Sequence, residues 1–309
     1  MSDPPHEAGP GHVWVDGRLL PGNGPHLSVY DRGFQLGDGI FETLRVRGDH
    51  PTELAEHVAR LRRSAVGLEI ALPDGIEQRL AAGIAELLAA DRLDGPAGDA
   101  SVRITVSRGP FRARGLLPPN ETVAATIVIQ AWPVVDAPAD HLERGLHLVS
   151  SAVRRDPANP LVTLKTTSRA EYVYARLEAR RAGADDALFL TIEDHLSEST
   201  SSNLFLVRRA DDGAPELATP SLDSAILPGT TRSWLLAWGS EVGLRPFEGR
   251  LTRDDLASAE EAFLSSSVAG VLPVTRFDGA PIGDGRPGPW TKRARDDRES
   301  MIRSGGGAP

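Results

Sequence analysis

The sequence predicts two α+β domains joined by a linker, and three observations predict it. Strand-like and helix-like segments mix in both halves, without the regular alternation of a doubly wound sheet. A Pro-rich stretch, Ala131-Trp-Pro-Val-Val-Asp-Ala-Pro-Ala-Asp140, separates the halves. The chain has 309 residues, 40% hydrophobic and 25% charged, which is enough for two globular cores.

Residues 1–11 are rich in Pro and Gly and are expected to form a disordered tail. His12-Val-Trp-Val-Asp-Gly-Arg-Leu-Leu20 reads as a hairpin turning at Asp-Gly. Gly39 to Arg47 alternates like a strand, and 54–68 and 75–90 have helical apolar spacing. Strands are expected at 101–107 and 122–132, closing a small domain over 12–132. A linker over 133–143 leads to a larger domain over 144–303. There, strands are expected at 146–152, 186–192, 203–208, 261–265 and 271–277, and helices at 169–182, 231–239 and 289–303. Asp254-Asp255-Leu256 marks another helix start, and 304–309 is expected to be a frayed end.

The net charge of −9 argues against nucleic acid or an anionic membrane surface as the main partner. The chain has no cysteine, which excludes disulfides, thiolate metal sites and a cysteine nucleophile; no metal site is expected. The N-terminal segment has no apolar h-region, and no run approaches the ~18 apolar residues of a membrane helix. The default expectation is a cytoplasmic enzyme.

Lys165 is the most informative residue. A lysine is ordinarily solvated, but Lys165 ends the apolar run Leu161-Val-Thr-Leu164 and precedes Thr166-Thr-Ser168 and a helix. An amine at a largely buried strand end is expected to have a lowered pKa, to react with an aldehyde as a Schiff base and to carry a proton. Glu198, 33 residues later, lies between apolar strand-like segments. A buried carboxylate there needs a cationic partner, and a protonated pyridine nitrogen would serve. Leu227-Pro-Gly-Thr-Thr-Arg232 and Leu264-Ser-Ser-Ser-Val-Ala-Gly270 are hydroxyl-rich turns suited to a phosphate. Arg60, on an amphipathic helix, could add a fixed positive charge. Together these features point to pyridoxal phosphate (PLP).

On these residues, with Tyr30-Asp-Arg-Gly33, Gly37-Asp-Gly-Ile-Phe-Glu42 and His57-Val-Ala-Arg-Leu61, the chain resembles the class IV aminotransferases, the fold-type IV PLP enzymes, over about residues 12–300. The resemblance implies a small N-terminal domain, a larger barrel-like C-terminal domain, PLP at their interface and a homodimer. It implies that Lys165 binds PLP covalently and shuttles the proton, and that Glu198 holds the pyridine nitrogen. Arg60, Thr230, Thr231, Ser266 and Ser267 would hold the phosphate. Leu227 would pack on the ring, with Ser202 and Asn203 near its edge. Ala170 stands where branched-chain enzymes have a tyrosine that bonds the ring hydroxyl.

Three features bear on substrate. The segment ending Ile40-Phe41-Glu42 resembles D-amino-acid aminotransferases, with Phe41 at the substrate. Arg112 and Arg114 stand near, but offset by one from, those enzymes' Arg-x-His carboxylate grip; the same loop also resembles aminodeoxychorismate lyases. Arg103 falls in the carboxylate site of branched-chain enzymes, with Thr105 on the same strand face. The expected activity is transfer of an amino group from D-amino acids, and from (R)-primary amines, to a 2-oxo acid such as 2-oxoglutarate. The alternatives are pyruvate elimination by a lyase and, after it, a branched-chain L-amino-acid transaminase.

Overall fold

The computed structural model describes residues 11–118 and 123–305. The tails expected over 1–11 and 304–309 therefore lie almost wholly outside the described residues. Two compact units are present, one formed by the chain to Val135 together with Leu164–Arg169, the other by Asp136–Thr163 and the chain from Ala170.

The first unit contains β1 (His12–Val15), β2 (Arg18–Pro21), α1 (Arg32–Leu36), β3 (Gly39–Arg47), β4 (His50–Pro51), α2 (Leu54–Gly67), α3 (Ile76–Asp91), β5 (Asp99–Ser107) and β6 (Thr126–Pro133). The strands form an antiparallel sheet in the order β2-β1-β6-β5-β3-β4. The β1–β2 turn works because Asp16 and Gly17 take positive φ of 51° and 94°, as a two-residue hairpin requires. Alternate residues of β5 are buried, so Val102, Ile104 and Val106 face the core. Leu61, Leu80, Ile84 and Leu87 of α2 and α3 cover that face. The strand expected from 122 begins only at Thr126; Thr122 itself is outside the described residues.

The second unit contains α4 (Ala139–Arg144), β7 (Leu146–Arg155), α5 (Ala170–Arg181), β8 (Asp186–Thr191), β9 (Leu196–Ser199), β10 (Asn203–Arg209), β11 (Pro215–Pro220), α6 (Thr230–Val242), β12 (Arg245–Gly249), α7 (Arg253–Ala257), β13 (Glu261–Ser266), β14 (Gly270–Phe277), β15 (Ala280–Pro281) and α8 (Pro289–Arg303). The sheet order is β12-β11-β10-β13-β14-β7-β8-β9, with β15 on β14. The pairs β11–β12, β14–β7 and β7–β8 are parallel and the others antiparallel. Although β9 ends this order, it returns against β10 and β11, so the sheet curls on itself in the barrel-like manner expected. Thr252 caps α7 reciprocally with Asp255, which explains the helix start read at Asp254.

The division between the units, at Val135 and Asp136, falls inside the segment read as linker, 133–143, which also holds the end of β6 and most of α4. One expectation is corrected. Lys165, assigned from sequence to the 144–303 domain, folds with the first unit. Backbone hydrogen bonds between its segment and β3 are the reason.

Candidate functional site

The Lys165 segment extends the sheet at the end of β3. The Phe41 N–H donates to the Lys165 carbonyl at 2.9 Å, and the Thr167 N–H donates to the Gly39 carbonyl at 2.9 Å. Ser64 Oγ accepts from the Lys165 N–H at 3.1 Å. The Thr167 and Ser168 hydroxyls donate to the Gly37 carbonyl at 2.8 and 3.2 Å. Two hydroxyls of the turn after the lysine thus pin the backbone. Gly39 permits this approach: a Cβ there would lie 2.9 Å from the Val106 carbonyl oxygen and 3.1 Å from Thr167 Oγ1.

Three cations surround Phe41. Arg103 Cζ lies 3.9 Å from the ring centroid, Lys165 Nζ 4.7 Å and Arg169 Cζ 5.7 Å. Arg103 Nε donates to Thr105 Oγ1 at 3.2 Å, as their shared strand face predicts. Burial, and then the charge of Arg169, lowers the pKa of Arg103 from its ordinary value. Among the described residues Arg103 has no carboxylate partner. Such a cluster suits a carboxylate-bearing molecule. Arg112 and Arg114, by contrast, are exposed; Arg112 lies 5.7 Å from the Tyr30 ring, and no contact among the described residues joins either to the Phe41 cluster.

Arg60 is buried beneath the same sheet. Its Nε and Nη2 donate to Glu42 Oε1 and Oε2 at 2.8 and 2.6 Å, and the His57 ring donates from Nδ1 to Oε2 at 2.7 Å. The edge of Arg60 carrying Nε and Nη2 is therefore committed to Glu42. Burial works to raise the Glu42 carboxyl, but Arg60 and then His57 hold it down to about 2.

In the second unit, Glu198 sits on β9, buried. Its Oε2 accepts from Asn203 Nδ2 at 3.2 Å and from the Leu227 N–H at 3.0 Å. Asn203 Nδ2 also donates to the Leu227 carbonyl at 3.0 Å, tying β10 to the loop before α6. Arg155 Nη2 stands 3.7 Å from Glu198 Oε1, so the carboxylate already has a guanidinium beside it. Burial disfavours the charge of Arg155, but Tyr172, Glu198 and Glu171 outweigh it and raise its pKa.

Thr230 and Thr231 open α6, whose cap residue, Gly229, offers no side-chain acceptor. The Thr230 and Ser267 hydroxyls meet at 3.1 Å. A Cβ at Gly229 would clash with Asn203 Oδ1, so only a shift of that amide would admit one. Ser266 Oγ accepts from the Ala269 N–H at 3.3 Å, and the Ser202 N–H donates to Ser199 Oγ at 3.2 Å, so both serines hold their turns. The fold thus joins Glu198, Asn203 and Leu227 in one cluster and Thr230 and Ser267 in another.

The sequence reading missed Arg155 and Arg298. The strand expected to end at Ala152 runs on to Arg155, whose side chain is 2% exposed. Arg298 is fully buried, and a signal for it existed: Thr291, Ala294, Arg298 and Ile302 form the buried stripe of α8 at spacings of three and four.

The family profile described as amino-transferase class IV matches residues 39–277. The chain is 30% identical to a putative branched-chain-amino-acid aminotransferase of Methanocaldococcus jannaschii, over 92% of this chain and 94% of that one. It is 31% identical to the D-alanine aminotransferase of Bacillus licheniformis, over 94% and 97% of the two chains. The crystal structure of a branched-chain amino acid aminotransferase (from T.th.) complexed with N-(5'-phosphopyridoxyl)-L-glutamate superposes with a TM-score of 0.84 at 28% identity, covering 95% of this chain and 94% of that one.

Proposed function

Because the chain belongs to the class IV aminotransferases, we propose that it is a PLP-dependent transaminase moving the amino group of D-amino acids, and of (R)-primary amines, to a 2-oxo acid such as 2-oxoglutarate. One observation carries the cofactor assignment. The chain has only two lysines, Lys165 and Lys292. Lys165 lies within the family match and beside Phe41, whereas Lys292 is exposed on α8 and outside the match.

The residues present fit the cofactor. Glu198 is a buried carboxylate held in place through two hydrogen bonds to its Oε2, suited to a protonated ring nitrogen. The facing Thr230 and Ser267 hydroxyls at a helix start suit a phosphate. When bound, PLP supplies an electron sink that lets the amino acid's Cα–H bond ionise. The chain's residues do the rest in this reading. Lys165 would hold the cofactor's carbonyl carbon until the substrate amine takes its place, and its freed amine would then carry the proton to and from Cα. Glu198 would hold the protonated ring nitrogen, with the Arg155 guanidinium 3.7 Å from its other oxygen. Leu227 covers the ring, with Ser202 and Asn203 at its edge. Arg60, Thr230, Thr231, Ser266 and Ser267 bind the phosphate.

For the substrate, the cations around Phe41 favour a molecule with a carboxylate, with Arg103 and Thr105 orienting it. Arg112 and Arg114, exposed and away from the contacts of Phe41, would add a second carboxylate grip only by moving toward it, and the kinship with a D-alanine aminotransferase supports D-amino acids. A branched-chain L-amino-acid reading has support in the relatives' names. That reading is less favoured because Ala170 stands where branched-chain enzymes have a tyrosine and because the surroundings of Phe41 are cationic. We also propose a homodimer, checked by light scattering of the holoenzyme.

Mixing holoenzyme with D-alanine or D-glutamate, without acceptor, tests the substrate class. Loss of the cofactor's visible band with D-amino acids alone supports the proposal. Loss only with L-leucine moves the assignment to branched-chain substrates. No change with either makes pyruvate elimination from aminodeoxychorismate the leading activity.

A further inference from the structure

Arg298 is completely buried, yet it carries a charge that globular interiors seldom accept. It projects from the inner stripe of α8, with its guanidinium 5.2 Å from the Trp234 ring centroid. Its Nη2 donates to Thr231 Oγ1 at 3.2 Å, and Thr231 is itself only 2% exposed.

The direction of that bond matters. A hydroxyl has one proton and two lone pairs. An arginine can only donate, so the bond uses a Thr231 lone pair and turns the Thr231 proton away from α8. Thr231 stands in the first turn of α6, beside Thr230, whose hydroxyl meets Ser267. A threonine so oriented is a preset donor, and polarisation by the adjacent cation strengthens it. The guanidinium is also shielded from water, so its attraction for an anion is weakly screened.

We propose that Arg298 is a positioning residue for the cofactor's phosphate: it presets the Thr231 hydroxyl as a donor and places a positive charge behind the start of α6. This rests on the phosphate role given above to Thr230, Thr231 and Ser267.

The test compares pyridoxal phosphate with pyridoxal, which lacks the phosphate. The full chain, stripped of cofactor, is titrated with each while tryptophan fluorescence is followed. Arg298→Met should weaken pyridoxal phosphate binding roughly tenfold, the scale of one charge-assisted hydrogen bond, and leave pyridoxal binding unchanged. Arg298→Lys keeps the charge without the fork and should restore part of the difference. In a Thr231→Val background, the Arg298→Lys effect should largely disappear. Equal loss for both ligands would mean a purely structural role and overturn the proposal, as would no loss for either. If Arg298→Met does not fold, the Arg298→Lys and Thr231→Val cycle decides alone, with additive effects overturning the proposal. A Thr230→Ala/Ser267→Ala variant separates the two layers. If it leaves the preference for pyridoxal phosphate intact, the phosphate-site reading itself fails. If it removes that preference and the Arg298 variants do not, only the present inference fails.

Discussion

Glu42 and Arg60 form a buried two-point ion pair, with Arg60 Nε and Nη2 donating to the two carboxylate oxygens at 2.8 and 2.6 Å. Strand β3 and helix α2 are thereby joined through charge inside the first unit's core. The pair also fixes which way Arg60 points. The same β3 carries Phe41, the neighbour of Lys165, so Arg60 and Phe41 are held by one strand and the helix ion-paired to it.

This pair makes stability depend on acid. The Glu42 carboxyl is held at about 2, against an ordinary value of 4.5. A depressed carboxyl contributes stability that is fully present above the ordinary value and is lost as pH falls through the folded one. That shift corresponds to roughly 3 kcal/mol. Chemical denaturation from pH 5 down to pH 2 should therefore show a steeper loss for the native chain than for Glu42→Gln, by about that amount. Parallel profiles would contradict the assignment.

Removing Glu42 altogether should be worse at neutral pH. Glu42→Ala leaves Arg60 buried without its carboxylate, a change that typically costs about 3–5 kcal/mol. Urea unfolding at pH 7 measures it, and a cost under about 1 kcal/mol would mean that Arg60 readily finds another partner.

Gly229→Ala should damage the loop between Glu198 and α6. The added Cβ would clash with Asn203 Oδ1, so the amide bonded to Glu198 must move. A loss of about 1–3 kcal/mol in stability is expected, as for overpacking elsewhere. In an Asn203→Ala background most of that loss should vanish, because the obstructing atom is gone. Additive effects would show that the clash is relieved elsewhere.

Arg103→Gln should act on substrate rather than on folding. Arg103 lies over Phe41 and bonds Thr105. The KM for 2-oxoglutarate should rise about tenfold or more, the scale of a lost charge-assisted contact, with the unfolding midpoint little changed. An unchanged KM would remove Arg103 from the substrate site.

Much of the fold was legible in the sequence where local signals are strong. The Asp16-Gly17 hairpin, the alternation along Gly39–Arg47 and the apolar stripes of α2, α3 and α8 each reflect a short-range pattern. The elements missed, such as β11 and β12, gain their place from pairing with distant strands. The affiliation of Lys165 was illegible for the same reason, since it follows from backbone bonds to Phe41 and Gly39 more than 120 residues earlier. Glu198 could be singled out because a carboxylate between apolar strands is unusual. Its neighbour Arg155 could not, because an arginine beside another arginine at a strand end looks solvent-facing until the fold buries it.

Lys165 is the residue on which the proposed chemistry turns. Turnover by Lys165→Ala should fall by at least about 10²–10⁴-fold, the range for a lost acid–base group, while PLP still binds without a covalent link. The most direct measurement is to treat holoenzyme with borohydride, digest it and find the pyridoxyl-modified peptide by mass spectrometry. The label is expected on Lys165. A label on Lys292, or a chain that takes up PLP and carries no label at all, would contradict the assignment.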